Sequence, residues 1–237
     1  MGSQNSLPRP FFITATDTGA GKTHLALRWL RWLSAYGTPG TVYKPIATGG
    51  GAEEGSWHPN GDLMRLSEAS DKNPFELSFV YFELAMAPQL AAEDLGISIP
   101  RDALVDWCKE RICPGAAIEG IGGLLVPVCT GYRVIHLIQD LAISPVLVTR
   151  TSLGTINSTL LSIQAMRVAG IPPVAVVASN ISNETDESWE LAKRHIQESI
   201  FPIPLLELPH VDWKAPLTEA ESRTLGALAV LLTESGN

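Results

Sequence analysis

Short apolar runs alternate along this chain with longer segments in which apolar residues recur at helical spacing. The runs lie at Phe11–Ala15, Thr41–Pro45, Ala116–Gly120, Ser144–Thr149 and Pro172–Ser179, and a sixth lies within Phe201–Leu208. Strands that are apolar on both faces and separated by helices are typical of a parallel sheet covered on both sides. The pattern therefore predicts an α/β fold with a mostly parallel sheet and helices on both faces.

The segments between these runs supply the helices. Helical spacing covers Leu25–Leu33, Thr155–Ala169, Glu184–Ser199 and Leu217–Leu232. Trp29 and Trp32 stand three residues apart on the first helix, a spacing that favours packing in a core or an interface over ligand contact. There is no repeat and no linker, so we expect a single domain over residues 1–237, with residues 1–9 flexible.

The longest loop-like segment is Gly49–Asn60, which follows the second strand. Ligands of open α/β sheets bind at this edge of the sheet. The composition fits equally well a loop that is mobile until a ligand arrives and a loop that is simply disordered.

Composition excludes several classes of protein. The 237 residues are 45% hydrophobic and carry a net charge of −8, which suits one sizeable core and argues against binding to nucleic acid or to an anionic membrane. No apolar run approaches the roughly 20 residues of a membrane helix, and the polar N-terminus lacks a signal core. Cys108, Cys113 and Cys129 show no C-x-x-C spacing, which is typical of reduced thiols. We expect a cytoplasmic protein.

The first strand leads through a glycine-rich turn into Gly21-Lys22-Thr23 and then into a helix. In this context the N–H groups of Gly19, Ala20 and Gly21 can bind phosphate, because a helix N-terminus carries partial positive charge. Lys22 would neutralise the β- and γ-phosphates, and the Thr23 hydroxyl would reach Mg²⁺. The usual G-x-x-x-x-G-K-[ST] spacing, however, requires glycine at Thr16.

A longer loop explains the spacing. The segment Thr16–Thr23, T-D-T-x-x-G-K-T, resembles the phosphate loop of the dethiobiotin synthetase family, which is one residue longer than the common form. Four further motifs follow in family order. They are Tyr43–Gly49, similar to Y-K-P-[IV]-x-[ST]-G; Ala87–Ala92, similar to A-P-H-x-A-A; Glu119–Pro127, similar to E-G-A-G-G-x-x-x-P; and Leu153–Asn157, similar to L-G-[TC]-I-N. The resemblance covers nearly the whole chain.

The resemblance implies an ATP-dependent ring closure. The family converts 7,8-diaminononanoate, CO₂ and Mg-ATP to dethiobiotin, ADP and phosphate. An amine of the substrate traps CO₂ as a carbamate, which attacks the γ-phosphate, and the neighbouring amine closes the resulting carbamic–phosphoric anhydride. The resemblance also implies a homodimer with the site at its interface.

By the same resemblance Lys22 and Lys44 are the catalytic lysines. Lys44 follows the second strand, and Pro45 keeps the chain extended there, so a fixed ammonium can stabilise the carbamate. Thr18 and Thr48 would contact the substrate. Glu119 ends an apolar strand and would hold Mg²⁺ with Thr23, since hard cations prefer carboxylate oxygen.

Three further assignments remain open from the residues themselves. Asp62 matches a metal-side aspartate of the family, but it also carries an ordinary helix N-cap signal. Gly154, Thr155 and Asn157 would bind the substrate carboxylate from the partner subunit, or would simply begin a helix. Asn180 would contact adenine, or would be a turn residue at the end of a strand. The remaining expected ATP contacts, by resemblance, are Gly120, Gly122, Pro204, Leu205 and Leu206.

Four positions depart from the family pattern. Ala15 and Gly19 replace a glycine and a frequently acidic residue of the loop, and Gln89 and Ser158 each replace a histidine. Alanine at position 15 requires a negative φ if the turn is to be kept. These departures put the positioning of the substrate in doubt and leave the class of reaction unchanged.

Two other readings compete with this one. Related amide-forming synthetases, such as the cobyrinic acid amidating enzymes, carry an additional amidotransferase domain for which this chain has no room. Switch ATPases of the MinD/ParA type carry a signature lysine, as in K-G-G-x-G-K-T, where this chain has Asp17. Membrane-binding members of that class also need a basic amphipathic tail, and Leu217–Asn237 is not basic.

Overall fold

The computed structural model describes residues 7–53, 56–58, 61–181 and 188–234. Helices and strands alternate along most of the chain, with one 3₁₀ turn at Pro74–Glu76. In chain order the elements are β1 (Phe11–Ala15), α1 (Lys22–Ala35), β2 (Thr41–Tyr43), β3 (Ile46–Thr48), β4 (Gly51–Glu53), β5 (Ser56–His58), α2 (Gly61–Ser70), β6 (Val80–Phe82), α3 (Pro88–Asp94), α4 (Arg101–Lys109), β7 (Ala116–Glu119), β8 (Pro127–Cys129), β9 (Tyr132–Arg133), α5 (Val134–Leu141), β10 (Ser144–Arg150), α6 (Thr155–Val168), β11 (Ala175–Ser179), α7 (Trp189–Ile200), β12 (Leu205–Leu208) and α8 (Glu219–Glu234).

The central sheet has six strands in the order β12-β11-β10-β1-β7-β2. All five neighbouring pairs are parallel, which confirms the predicted α/β fold. Strand β1 lies between β10 and β7. After β1 the chain first adds β2 and β7 on one side of it, and then β10, β11 and β12 on the other side. Ligands of open α/β sheets bind beyond the carboxyl ends of the strands at such a point.

The core consists of two apolar clusters, one on each face of the sheet. Along β1 the side chains alternate between them, with Phe11 and Ile13 in one cluster and Phe12 in the other. Trp29 is fully buried, meets Phe11 edge-on at 5.1 Å and stacks on Trp32 at 5.3 Å. The prediction that these tryptophans serve packing is confirmed.

Prolines explain where the observed strands differ from the predicted runs. Strand β2 ends at Tyr43, because Pro45 has no N–H to donate and the Lys44 N–H turns to the carbonyl of Leu77. Strand β12 begins only at Leu205, after Pro202 and Pro204. Helix α7 begins at Trp189, and the predicted start near Glu184 lies outside the described residues.

The prediction of an irregular loop over Gly49–Asn60 is wrong in part. Strands β4 and β5 pair in an antiparallel hairpin, whereas residues 54, 55, 59 and 60 lie outside the described residues. Residues 1–6 lie outside them too, but Pro8 is buried and its carbonyl accepts a 2.8 Å hydrogen bond from the N–H of Gly115. No helix in the described ranges is long and apolar enough to cross a membrane.

Candidate active site

The backbone keeps its strand pairing for one residue past β1 before it turns into the phosphate loop. The Thr16 N–H still bonds the Val148 carbonyl at 2.9 Å, and Ala15 pairs with Val148 inside the sheet. Ala15 is not among the residues with positive φ, so its side chain is accommodated there as predicted. The loop then turns at Gly19 (φ 72°) and Gly21 (φ 102°). A Cβ at Gly21 would collide with Ser179, so only glycine fits.

A second glycine-rich loop follows β7 and packs against the first. Gly122 has φ 56°, and a Cβ on Gly123 would lie 3.3 Å from the Thr16 carbonyl oxygen. Gly120 lies beneath the loop, where its N–H bonds the Ile13 carbonyl and an added Cβ would meet the Phe12 ring at 2.8 Å. This close approach of two backbones brings Glu119 next to Thr23.

Four side chains from four parts of the chain meet where the two loops join. The Lys44 Nζ lies 2.5 Å from Glu119 Oε1 and 3.4 Å from Asp62 Oδ2. The Thr23 hydroxyl donates to Glu119 Oε1 at 2.7 Å. Glu119 is fully buried, and its Oε2 has no hydrogen-bond partner among the residues that the structure describes. A buried carboxylate oxygen left without a partner is costly, and such exceptions are frequent at functional sites.

Lys44 of this cluster and Lys22 of the phosphate loop differ in their pKa. Burial and, to a smaller extent, the charge of Lys44 together lower the pKa of Lys22 from 10.5 to about 8, against the attraction of Glu119. Burial also acts to lower the pKa of Lys44, but the adjacent carboxylates of Glu119 and Asp62 outweigh it and raise that pKa above 10.5. Lys44 is therefore a permanent ammonium, while Lys22, which donates to the Gly122 carbonyl at 2.8 Å, holds its proton less firmly.

A cleft of about 650 Å³ opens above the cluster. It is lined by most of the residues predicted for the nucleotide phosphates, the metal and the substrate amines: Thr18, Gly19, Gly21, Lys22, Thr23, Lys44, Thr48, Asp62, Glu119 and Gly122. Ala20 and Gly120 do not line it, since Ala20 is buried in the core and Gly120 supports the loop from below.

A neighbouring pocket of about 430 Å³ contains Asn180 together with Leu208 and Pro209. The Asn180 N–H bonds the Leu208 carbonyl at 2.9 Å, which joins the carboxyl ends of β11 and β12. Pro204, Leu205 and Leu206 lie at the amino end of β12 and do not line this pocket, so their contact with ATP stays a prediction. Pro209 and His210, which follow the strand, line the pocket and the cleft respectively.

Gly154, Thr155 and Asn157 lie away from the cleft of their own protomer. They line a groove of about 840 Å³ with residues of α6 and α7. The Thr155 hydroxyl lies 2.7 Å from the Arg150 carbonyl and 2.8 Å from Thr149 Oγ1. Gly154 caps the helix in a left-handed conformation, without a side-chain bond. A single chain does not bring these residues to the phosphate loop.

The other departures from the family pattern lie outside the cluster. Gln89 donates to Glu93 one helical turn away, and the Ser158 hydroxyl bonds back to carbonyls of its own helix at Gly154 and Thr155. Gly19 lines the cleft with open space around its Cα.

Sequence reasoning missed three polar residues that line the cleft: His24, Arg65 and His210. His24 directly follows Thr23, and its Nε2 lies 3.1 Å from the Pro209 carbonyl, an acceptor that requires the Nε2–H tautomer. Arg65 stands three residues after Asp62 on α2, so helical spacing could have indicated it. His210 follows the last strand and could have been found only by placing the end of that strand correctly.

The donor set suits Mg²⁺. Within the described ranges no group of three or more histidine, cysteine or acidic side chains could hold a metal by itself. Glu119, Asp62 and the Thr23 hydroxyl, however, offer oxygen ligands beside the phosphate loop. Nucleotide sites characteristically hold Mg²⁺ with one or two carboxylates and complete its coordination with phosphate oxygens and water. The unpartnered Glu119 Oε2 fits that role.

Comparison with solved structures supports the fold. A ParA family ATPase from Chlorobium tepidum TLS superposes with a TM-score of 0.54 at 14% identity, covering 96% of this chain and 99% of that one. At this identity the likeness shows a common fold alone.

Sequence comparison is more specific. A family model described as an AAA domain matches residues 9–221. The ATP-dependent dethiobiotin synthetase BioD of Acidiphilium cryptum is 33% identical over 222 residues, covering 90% of this chain and 99% of that protein. The protein of the same name from Anaeromyxobacter dehalogenans is 32% identical over 224 residues, with 93% and 96% covered. This chain therefore belongs to the dethiobiotin synthetase family.

Proposed function

We propose that this protein is an ATP-dependent ligase that closes 7,8-diaminononanoate and CO₂ into dethiobiotin, with ADP and phosphate as the other products. The observation that carries the proposal is the Lys44–Glu119–Thr23 cluster beside the phosphate loop. In this cluster the Lys44 ammonium group, which can stabilise a carbamate, lies next to residues that can bind a nucleotide and its metal ion.

ATP binds with its phosphates on the N–H groups at the start of α1. Lys22 neutralises the β- and γ-phosphates from inside the cleft, at the cost of its bond to the Gly122 carbonyl. The base lies toward the pocket of Asn180 and Pro209. Glu119, Asp62 and Thr23 would hold Mg²⁺, which would supply positive charge to the phosphates.

The first step forms a carbamate. A neutral amine of the substrate adds to the carbon of CO₂, forms the C–N bond and releases one proton. Lys44 stabilises the resulting carbamate oxygen, because its ammonium is permanently charged and held by Glu119 and Asp62. Thr18 and Thr48 line the same part of the cleft and offer hydroxyl groups to the substrate.

The second step transfers the phosphoryl group and the third closes the ring. A carbamate oxygen forms a bond to the γ-phosphorus while the bond to the bridging oxygen breaks, and that electron pair leaves with ADP. The neighbouring amine then attacks the carbamate carbon and loses a proton, and inorganic phosphate departs with the electron pair of its C–O bond. Alignment of the three reactants by the cleft supplies much of the acceleration.

We further propose a homodimer in which each cleft is completed by its partner. Leu153 is 90% exposed, and Leu161 and Leu191 are also exposed beside the groove that contains Gly154 and Asn157. An apolar surface of this kind is covered in many stable dimers. The partner subunit's segment from Gly154 to Asn157 would bind the substrate carboxylate.

The test of the reaction is phosphate release from Mg-ATP, measured with and without diaminononanoate and bicarbonate. We expect release to require both co-substrates and to fall by about 10²–10³-fold in Lys44→Ala, the loss typical of a single charge-stabilising donor. Arg9→Ala, an exposed change distant from the cleft lining, serves as the matched control. ATP turnover that ignores the diamine would contradict the proposal.

The shared site has its own test. Lys44→Ala and Asn157→Ala should each be nearly inactive, while an equilibrated mixture should regain activity, since one cleft of each mixed dimer then contains both native residues. A mixture no more active than its components would contradict the dimeric site and leave the reaction itself intact.

A further inference from the structure

Arg65 is a cleft residue that the family motifs leave without a role. It lies on α2, three residues after Asp62, and this spacing puts both side chains on the same side of the helix. Both line the cleft that contains the phosphate loop. The guanidinium thus shares one cavity with Lys22 and Lys44.

Arg65 differs from the two lysines in that no described residue holds its guanidinium group. Lys44 contacts Glu119 and Asp62, and Lys22 donates to the Gly122 carbonyl. Arg65 is exposed and makes no hydrogen bond or ion pair with any other residue that the structure describes. Its donors can therefore reach a bound anion without breaking an existing contact, and the main cost is the loss of side-chain entropy.

Arg65 also contributes to the charge of the cleft. The lining contains three cationic side chains, Lys22, Lys44 and Arg65, against the carboxylates of Asp62 and Glu119. The formal balance is +1 with Arg65 and zero without it. Because both lysines have protein partners, Arg65 is the cation of this lining that is most available to an additional anion.

We propose that Arg65 is a catalytic residue that binds the oxygens of the γ-phosphoryl group as it passes from ATP to the carbamate. This inference rests on the proposed function. A guanidinium is planar, always charged, and matches phosphate oxygens with two parallel N–H groups. The diamine end of the substrate is itself cationic and is a poor partner for arginine, so the phosphoryl group is the anion that this side chain suits.

The test compares Arg65→Gln and Arg65→Lys with Arg31→Gln, a change at an exposed arginine of α1 that does not line the cleft. At saturating substrates we expect Arg65→Gln to lower kcat by about 10²-fold, within the range for loss of one charge-stabilising donor. Arg65→Lys should recover part of that loss because it restores the charge without the planar fork. ADP affinity should change by less than threefold in all variants.

A binding measurement separates this proposal from the reaction. Orthovanadate with Mg-ADP mimics the phosphoryl group in transfer, and we expect wild type to bind ADP more tightly in its presence and Arg65→Gln to lose that gain. If wild-type ATP turnover ignores the diamine, the proposed reaction fails, and the vanadate comparison still decides the role of Arg65. Turnover and vanadate enhancement in Arg65→Gln equal to those of Arg31→Gln would overturn the role.

Discussion

Two buried ion pairs are joined to helix α1, one through Arg28 and the other through the hydrogen bond from Thr23 to Glu119, and they differ in how completely their hydrogen bonds are made. Arg28 pairs with Glu221 through both carboxylate oxygens, at 2.5 and 3.1 Å, and both residues are fully buried. Its remaining N–H groups donate to the carbonyls of Asp212, Trp213, Ala215 and Pro216. Glu221 also accepts the Thr218 N–H at 2.9 Å. Every charged atom of this pair has a protein partner.

The pair of Lys44 and Glu119 is left incomplete. No described residue bonds Glu119 Oε2, and the cluster opens into the cleft. Burial of charge alone therefore does not identify a functional site. A pair whose hydrogen bonds are all made within the protein fixes a shape, whereas a pair that lacks partners has capacity left for a ligand.

The complete pair of Arg28 and Glu221 nevertheless helps to position the wall of the cleft into which the Lys44–Glu119 pair opens. Arg28 holds the segment after Pro209, and the Pro209 carbonyl in turn bonds His24 at the start of α1. This segment contains Pro209 and His210, which stand beside the cleft and the pocket of Asn180. The wall formed by Pro209 and His210 is therefore held from the helix that begins at the phosphate loop.

The largest effect is expected on the free energy of unfolding when the complete pair of Arg28 and Glu221 is broken. Arg28→Met should lower the free energy of unfolding by about 3–5 kcal/mol, because it leaves Glu221 buried without its counter-charge. Urea denaturation of the nucleotide-free protein measures it. Arg223→Met, at an exposed pair with Glu219, is the control and should cost under about 1 kcal/mol. Equal effects of the two changes would remove the distinction between the pairs.

Removal of a buried cation from the cleft is expected to raise the free energy of unfolding instead of lowering it. Lys22→Met should raise the free energy of unfolding at pH 7 by about 1–3 kcal/mol, because the folded protein holds that charge at a depressed pKa. The same change should abolish ATP turnover. Thermal denaturation and phosphate release, measured on one preparation, test both effects. A variant less stable than wild type would show that Lys22 is a structural cation like Arg28.

The depressed pKa of Lys22 also predicts how the free energy of unfolding changes with pH. The pKa of Lys22 is about 8 when folded and 10.5 when unfolded, so the unfolded state binds more protons between these values. Stability conferred by this group should therefore rise from pH 8 to pH 10.5. The raised pKa of Lys44 acts in the other direction, and only above pH 10.5. The difference between wild type and Lys22→Met across pH 7–10 isolates the first effect, and a flat difference would refute it.

The smallest effect is expected at an exposed pair. Asp17 Oδ2 bonds Arg150 at 2.7 Å while its Oδ1 accepts the Thr18 N–H, so Arg150 helps to orient the loop. Both side chains are substantially exposed, and exposed pairs contribute about 0.2–1 kcal/mol. Arg150→Ala should therefore reduce kcat/KM for the diamine by no more than about fivefold. A loss approaching that of Lys44→Ala would mean that Arg150 has a larger role than orientation.

Local chemistry was enough to predict much of the site. The phosphate loop, Lys44 and Glu119 each follow an apolar run, and carboxyl ends of parallel strands meet at one edge of the sheet, so these residues could be expected together. For the nucleotide base the prediction rests on Pro204, Leu205 and Leu206 at the amino end of β12, whereas Pro209 and His210 line the cavities beyond its carboxyl end at Leu208. Arg65 was missed because a helix surface position reveals what it faces only when the neighbouring elements are in place.

The sequence by itself determined the fold class, the strand that feeds the phosphate loop and the residues able to bind phosphate, since these follow from periodicity and from local backbone requirements. It did not determine which buried acid would be left with an unpartnered oxygen. Glu119 meets Lys44 across 75 residues of chain, and Glu221 meets Arg28 across 193. Such pairings depend on how helices and loops pack over the sheet, and packing alone left Glu119 Oε2 without a partner and gave Glu221 a full set.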